Sequence, residues 1–285
     1  MKLTIVGCSG SFAGPASPAS CYLLQAEHEG RTWNLALDIG AGALGTLQQH
    51  LDPRDLDAIV LSHLHPDHCI DLCGLYVVQK YHPDGPNRPL PVYGPTGSGK
   101  RMSEAYGLDD PSAMDTEFDY RDLVDGRSLT LGPFTITPYA VNHPIECYGV
   151  RVEAGGVVLA YTGDTDSCDA LVPLMTGADL VLADSAFLAG RDTAPGVHMN
   201  GRQCAEAAVE AGGVRRLMLT HIPAWNDREQ CRAEAAQVWQ GDEREVELAE
   251  PGASYVLEPL PSLLPSARPS AEPAPAPTPS SVSVP

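Results

Sequence analysis

The chain has 285 residues, with 37 Asp and Glu against 18 Lys and Arg and a formal net charge of −19. Proteins that bind long nucleic acid neutralise phosphates with Lys and Arg, and because this sequence has no basic run, its composition argues against extended RNA or DNA as a partner. The N-terminal MKLTIVGCSGSF is too short for a secretory signal and no later run could span a membrane, so we expect no membrane partner and a cytoplasmic protein.

Short β-rich runs alternate with helical runs along the first half of the chain, with Gly and Pro between them. The predicted strands are Leu3–Val6, Tyr22–Ala26, Trp33–Asp38, Ala58–Ser62 and Pro91–Tyr93. Apolar spacing predicts helices at Ala41–His50 and His68–Tyr81.

The second half of the chain shows the same alternation of short strands and helices. The predicted strands are Ser128–Leu131, Phe134–Val141, Tyr148–Glu153, Val157–Tyr161, Leu180–Ala183, Leu217–Thr220 and Glu245–Leu248. The predicted helices are Asp166–Met175, Asn200–Ala211 and Asp227–Gln240. Two such halves predict an α/β (α+β) fold, a four-layer αββα sandwich of two mixed sheets with helices outside. Loops at one edge of the sheets are then free to carry chemistry.

The C-terminal segment differs in composition from the rest of the chain. Residues 261–285 are rich in Pro, Ser and Ala and have no apolar periodicity, which is typical of a disordered tail. The predicted domain is therefore residues 1–260.

Nine histidines occur, and four potential metal ligands follow the strand Ala58–Leu61 in the run SHLHPDH. His63 and His65 can point at one site from an irregular loop, while Asp67 and His68 begin a helix and can face a second point. Neutral imidazole and carboxylate are good ligands for Zn²⁺. A polar loop whose histidines serve only in capping is the alternative, which the strand-to-helix junction disfavours.

Three further strands end in a potential ligand: His143, Asp164 and His221. Singly, each would more often be a capping or core polar residue. Together with the SHLHPDH run they bring the set to seven N and O donors, the number that two metal ions need when water completes their shells.

The pattern resembles the metallo-β-lactamase superfamily, and within it the ribonuclease Z-like branch, over roughly residues 1–259. The motifs are LDIGAG at 37–42, SHLHPDH at 62–68, NHP at 142–144, YTGDT at 161–165 and THI at 220–222. The resemblance implies one zinc ion on His63, His65 and His143. It implies a second on Asp67, His68 and His221, with Asp164 bridging the two. Two Zn²⁺ are the expected cofactors, and Mn²⁺ or Fe²⁺ are alternatives because both accept mixed N/O sites.

The resemblance also implies catalytic roles for Asp67, His198 and Asp184. His198, just before an Ala-rich helix, would contact the scissile phosphate and protonate the leaving oxygen, with Asp184 of LADSAF steadying it. The family's usual residue there is Glu, and a helix N-terminal histidine without a role is the alternative. Asp38 would be a buried acid that contacts the ligands and not the metal and so orients the metal loop. Alternatively, it would stabilise the Gly40–Gly42 turn.

One motif points elsewhere. GPTGSGK at residues 94–100 matches the phosphate-binding GxxxxGK pattern, but Arg101 follows where Ser or Thr is required for Mg²⁺. We predict a turn before a helix. His28, His50 and His82 have no partner residues in sequence and are expected at the surface.

The same resemblance narrows the reaction to phosphodiesters. The tRNA-processing enzymes of the branch carry a clamping arm between the counterparts of His143 and Asp164, where this chain has room for one hairpin only. The runs VGCSGSF, SPAS and HMNGRQCAEAA also resemble actinobacterial enzymes of this branch regarded as cyclic-nucleotide phosphodiesterases. We therefore predict hydrolysis of a small phosphodiester, 3′,5′-cAMP or cGMP, to the 5′-monophosphate.

Three alternatives stay open at this point. An RNA 3′-end nuclease of the ribonuclease Z type would need a basic groove beside the metals. A thioester or lactone hydrolase could use the same seven ligands without needing His198. A non-catalytic binding module is disfavoured by the complete ligand set. Members of the branch are often dimers, so a homodimer is an expectation from the resemblance alone.

Overall fold

The computed structural model describes residues 1–239 and 245–259. The predicted tail at 261–285 and Gln240, the last residue of the last predicted helix, lie outside the described residues. Within the described ranges, the strands form two sheets of seven strands each.

The first sheet has the order β14-β1-β2-β3-β4-β5-β6. Its strands are β1 (Lys2–Gly7), β2 (Cys21–His28), β3 (Arg31–Leu37), β4 (Ala58–Val60), β5 (Leu90–Gly94), β6 (Phe118–Asp122) and β14 (Ser254–Val256). Pairing is antiparallel from β14 to β3 and parallel from β3 to β6.

The second sheet has the order β13-β12-β11-β10-β9-β8-β7. Its strands are β7 (Leu129–Leu131), β8 (Phe134–Ala140), β9 (Tyr148–Ala154), β10 (Val157–Tyr161), β11 (Leu180–Asp184), β12 (Leu217–Thr220) and β13 (Glu247–Leu248). Pairing is antiparallel from β7 to β10 and parallel from β10 to β13.

Helices cover the outer face of each sheet. The first sheet packs against α1 (Ala43–Leu47), α2 (Pro66–Cys69), α3 (Leu72–Tyr81) and α4 (Ser98–Tyr106). The second packs against α5 (Leu171–Met175), α6 (Gly201–Ala211) and α7 (Arg228–Ala236). In the described ranges, every helix is too short or too polar to cross a membrane.

The inner faces of the two sheets pack against each other. Strand β2 shows the alternation that makes this possible, because Tyr22 and Leu24 face the other sheet while Cys21 and Leu23 face the helices. Three apolar cores therefore separate four layers, and the predicted αββα sandwich is confirmed.

The predicted helix His68–Tyr81 is in fact two helices, α2 and α3. The chain breaks at Asp71, whose N–H donates to the Ile39 carbonyl and whose carboxylate accepts the Leu44 N–H at 2.8 Å. The predicted Asp166–Met175 begins only at Leu171 for a similar reason, because the Asp166 carboxylate accepts backbone N–H groups of its own loop and of Gly196. These tertiary bonds replace the continuous helix.

Two strands were not predicted. β6 carries polar residues along an edge, and β14 has only three residues, which pair with β1 at the opposite end of the described chain. β6 alternates as FDYRD, but three of its five residues are charged, a composition that is unusual in strands, so pairing across the fold defines both β6 and β14.

Candidate metal centre

The candidate ligands lie where strands end at the edge shared by the two sheets. Strand β4 leads into the loop and short α2 that carry the SHLHPDH run. In the second sheet, β8, β10 and β12 end just before His143, Asp164 and His221. Two separate sheets thus supply the side chains of one site.

The backbone is strained directly after two strands, β3 and β12. Asp38 and His221 directly follow β3 and β12, and both adopt left-handed conformations with φ of 59° and 54°. Non-glycine residues rarely adopt this conformation, and such strain concentrates at functional sites. Glycines make room beside them: a Cβ on Gly40 would lie 1.9 Å from the Asp67 carbonyl oxygen, and one on Gly10 would lie 2.1 Å from the His221 carbonyl oxygen.

His63, His65, His143 and Asp164 form the first group of donors. His65 Nδ1 lies 2.9 Å from His63 Nε2 and 3.1 Å from His143 Nε2. The carboxylate of Asp164 is 3.6 Å from His63 Nε2. His65 and His143 are half-buried whereas the other two are buried, so the site opens to solvent on their side.

Asp67, His68, His221 and the same Asp164 form the second group. The Nε2 atoms of His68 and His221 are 3.1 Å apart, and Asp67 Oδ2 lies 3.0 Å from His221 Nε2. Asp164 faces this group with both oxygens, at 3.2 Å from His68 Nε2 and 3.5 Å from His221 Nε2. All seven predicted donors are therefore brought together, and Asp164 belongs to both groups.

Outer contacts orient the imidazoles. The Nδ1 atoms of His68 and His221 face the Asp38 and Asp184 carboxylates at 2.8 and 3.2 Å, and that of His143 faces the Val197 carbonyl oxygen at 2.9 Å. When each Nδ1 donates its proton to this outer oxygen, Nε2 is left with a lone pair that points into the cluster. This is the arrangement by which protein groups orient metal-ligating histidines.

The donor set fits metal cations. If both rings are neutral with the proton on Nδ1, the Nε2 lone pairs of His68 and His221 face each other at 3.1 Å and cannot bond. Asp164 Oδ1 is buried without a hydrogen-bond partner. Burial lowers the pKa of His221, but the charge of Asp164 and hydrogen bonds to Asp184 and Asp67 outweigh burial and raise this pKa to about 10. The acids thus create a negative potential that a cation can neutralise in place of protons.

Asp38 anchors the metal loop from behind. Its Oδ1 accepts the Ser62 N–H at 2.7 Å, and its Oδ2 accepts the Ser62 hydroxyl at 2.8 Å and the Tyr161 hydroxyl at 2.7 Å, besides facing His68 Nδ1. Because Asp38 is fully buried and lies on the first sheet while Tyr161 lies on the second, the carboxylate ties both sheets to the ligands.

His198 lies beside both donor groups. Its ring centroid is 5.5 Å from that of His143 and 5.3 Å from that of His221, and its Nδ1 is 2.8 Å from Asp184 Oδ2. Burial lowers the pKa of His198, but the charge and hydrogen bond of Asp184 outweigh it, so the pKa is raised overall. The other oxygen of Asp184 faces His221, so one carboxylate orients both imidazoles.

Sequence reasoning missed the contributions of Ser62, Tyr161 and the Val197 carbonyl. Ser62 and Tyr161 stand inside the motifs SHLHPDH and YTGDT, which is the signal that could have identified them. The Val197 carbonyl carries no sequence signal, because any residue supplies that atom.

The remaining histidines lie outside the cluster. His28 is exposed as predicted, but His50 and His82 are half-buried. His82 is not free at the surface because its Nδ1 contacts Arg54 Nη1 at 2.7 Å.

The predicted turn before a helix is confirmed for residues 95–97: the GPTGSGK run begins at the last residue of β5 and ends inside α4, with Gly97 at the helix N-cap. The Thr96 N–H, which a phosphate-binding loop would direct at its ligand, lies 3.3 Å from the Glu146 carboxylate instead. The Glu146 carboxylate therefore occupies the place where a bound phosphate would accept this N–H.

Comparisons with known proteins agree with this architecture. Residues 35–222 match the β-lactamase superfamily domain. The uncharacterized protein ML1173 of Mycobacterium leprae is 44% identical over 247 residues, covering 85% of this chain and 84% of that protein. The probable metallo-hydrolase YhfI of Bacillus subtilis is 32% identical over 258 residues, covering 88% of this chain and 98% of YhfI.

Solved structures extend the likeness. The crystal structure of YhfI matches with a TM-score of 0.77 at 30% identity, over 90% of this chain and 99% of that one. The short form of human tRNase Z matches with a TM-score of 0.69 at 21% identity, over 90% and 100%. Unliganded yeast PDE1 matches with a TM-score of 0.69 at 13% identity, over 89% and 98%. At the last two identities the likeness shows the fold alone.

Proposed function

The chain belongs to the β-lactamase superfamily and is a metallo-hydrolase of that fold, and from this premise we propose that it hydrolyses a small phosphodiester. The proposed substrate is a 3′,5′-cyclic nucleotide, cAMP or cGMP, and the product is the 5′-monophosphate. The observation that carries the proposal is the His198–Asp184 pair beside the seven-donor cluster.

We propose two Zn²⁺ as the cofactors. His63, His65 and His143 would hold one ion, Asp67, His68 and His221 the other, and Asp164 both. When bound, such a pair lowers the pKa of a coordinated water and neutralises charge on the attacked phosphate. The outer contacts of Asp38 and Asp184 keep the imidazoles in the required tautomer.

His198 would act as the general acid. Its Nδ1 faces Asp184, so the proton that can be transferred lies on Nε2, and the raised pKa favours the protonated ring. Opening a 3′,5′-cyclic diester expels the 3′ oxygen as an alkoxide, a poor leaving group. Proton donation to that oxygen accelerates such a step by about 10²–10⁴-fold.

Two features favour a small diester over RNA. Between His143 and Asp164 the chain forms only the β9–β10 hairpin with its Gly155–Gly156 turn, so no clamping arm is inserted there. Within the described residues, the seven donors form ion pairs with histidines and aspartates and not with Lys or Arg, the residues that would bind an RNA backbone. The net charge of the chain is −19. The proposal therefore includes no long nucleic acid and no membrane as partners, with the cytoplasm as the compartment.

The test is incubation of metal-loaded protein with cAMP, 2′,3′-cyclic AMP and a tRNA precursor, with Asp67→Ala as the control. We expect cAMP to be converted to AMP and the activity to be lost in the variant. If RNA is trimmed while cAMP survives, the chain is a nuclease, as the likeness to tRNase Z would then suggest. If only bis-p-nitrophenyl phosphate is hydrolysed, the metal site stands and the cyclic-nucleotide substrate is wrong.

A further inference from the structure

Two exposed aromatic side chains pack against each other at a tilt, on loops that contact the metal cluster. The ring centroids of Phe12 and Trp225 are 4.7 Å apart with an interplanar angle of 38°. Trp225 is 65% exposed and Phe12 is 38% exposed, although large apolar side chains are usually buried. The pair lies outside the three apolar cores, and neither residue belongs to the donor groups of the metal centre.

Both aromatics belong to loops that contact a candidate metal ligand. The Ser11 N–H points at His221 Nε2 at 3.2 Å, and Phe12 is the next residue. Trp225 lies in the loop that follows His221 at the end of β12. The aromatic pair is therefore connected to the cluster through very short stretches of chain on both sides.

The two loops are held together without the aromatic pair. A β-bridge joins Ser9 to Ile222, and Gly10 packs so closely on His221 that a Cβ would lie 2.1 Å from its carbonyl oxygen. Asn226, next to Trp225, donates from Nδ2 to the Ala186 carbonyl oxygen at 2.7 Å. A purely structural role for the pair is thus unnecessary, and the two rings stand on a preformed support.

Aromatic residues are distributed unevenly in this chain, which has only 4 Phe and 3 Trp. Phe118 and Phe134 are buried in the cores. The other two phenylalanines border the cluster, since Phe187 meets the His198 ring edge-on at 5.1 Å and Phe12 stacks on Trp225. Tyr81 and Tyr106 are also exposed, on α3 and α4, whereas the Phe12–Trp225 pair lies on the loops that contact the cluster.

We propose that Phe12 and Trp225 form the platform on which the planar base of the nucleotide stacks. This inference rests on the proposed function and names how that substrate is recognised. The diester carries the negative charge, which the metal site attracts, while the base is neutral and planar. Stacking on an aromatic ring supplies affinity for any base without a cation, which suits a strongly acidic protein.

The platform predicts a change in KM that depends on the base. Trp225→Ala should raise the KM for cAMP about tenfold with a much smaller change in kcat, and Trp225→Phe should retain most of the affinity. The KM for an abasic analogue, methyl riboside 3′,5′-cyclic phosphate, should be the same in the wild type and in Trp225→Ala. Tyr81→Ala is the matched control, because Tyr81 is 64% exposed at the C-terminal end of α3.

Equilibrium binding provides a second readout. Titrating the metal-loaded protein with 5′-AMP should quench tryptophan fluorescence, and ribose 5-phosphate should not. Trp33 is covered by Arg31 and Trp239 is buried in the core of the second sheet, so the quenching should disappear in Trp225→Phe.

The outcomes separate this inference from the proposed function. If the wild type hydrolyses cAMP and the abasic analogue while Trp225→Ala leaves both KM values unchanged, the platform is wrong and the phosphodiesterase stands. If Trp225→Ala instead converts a dimer to a monomer by light scattering at unchanged KM, the pair is a subunit contact. If the wild type hydrolyses neither substrate, the proposed function fails and this inference fails with it.

Discussion

The two halves of the molecule share one strand plan but contribute to the site in different ways. In each sheet, four strands pair antiparallel and the last of them begins a parallel set of four, β3–β6 in the first sheet and β10–β13 in the second. The first sheet contributes its four donors from one short segment after β4, the loop and the helix α2. The second contributes single donors from three strand ends.

The clearest contrast is between Asp38 and Asp164. Asp38 follows β3 and Asp164 follows β10, the corresponding strand of the other sheet. Asp164 faces both donor groups and has an oxygen without a hydrogen-bond partner, whereas Asp38 is saturated with hydrogen bonds behind His68. The corresponding strands of the two halves thus lead into a central candidate ligand and a supporting acid.

The largest expected effect comes from Asp164→Asn. Because Asp164 belongs to both donor groups, the change should deplete both metals and reduce activity by about 10⁴-fold or more, since each ion supplies several kcal/mol. Elemental analysis of the metal-to-protein ratio, together with kcat, checks this. A folded variant that keeps two ions and loses less than tenfold would show that Asp164 does not bridge.

His198→Ala tests the proposed general acid, which belongs to the second half of the molecule. We expect about 10³-fold lower kcat on cAMP, whose alkoxide leaving group needs a proton, and a much smaller loss on bis-p-nitrophenyl phosphate, whose phenolate does not. His82→Ala, outside the cluster, is the matched control. Equal losses on the two substrates would argue against proton donation, and no loss would favour a thioester or lactone hydrolase.

Asp38→Asn tests the supporting acid in the first half. The variant should keep its ligands but bind metal about 10–100-fold more weakly, since Asp38 orients His68 and the Ser62 loop. Competition with a chromogenic chelator measures the affinity. Metal affinity equal to that of the wild type would reduce Asp38 to a fold-stabilising residue, which the Tm would then report.

The smallest effect is expected at Lys100. The GPTGSGK turn follows β5, the strand that corresponds to β12 and hence to the position of His221. Lys100 is exposed, and its one ion pair within the part of the chain that the structure describes is with Glu104 (i,i+4) at 3.8 Å. Lys100→Ala should therefore change stability by less than about 0.5 kcal/mol and leave activity unaltered. A Tm raised by Mg-ATP in the wild type but not in the variant would overturn this.

The difference between the halves also explains what could be predicted. The SHLHPDH run places four donors within one short loop, so residue types and spacing were sufficient to propose a metal site there. His143, Asp164 and His221 each follow an ordinary apolar strand and gained meaning only as a set, through the resemblance to a family. The break between α2 and α3 was not predictable, because it depends on bonds to Ile39 and Leu44 across the sheet edge.

By itself, the sequence determined the alternation of strands and helices, the layered fold and the residues able to bind metal, because apolar periodicity and ligand chemistry are local properties. Only the tertiary structure decided that Asp164 lies between the two donor groups, that Asp184 orients both His198 and His221, and that Phe12 meets Trp225. These contacts join residues far apart in the chain, and their distances follow from how two sheets meet at one edge.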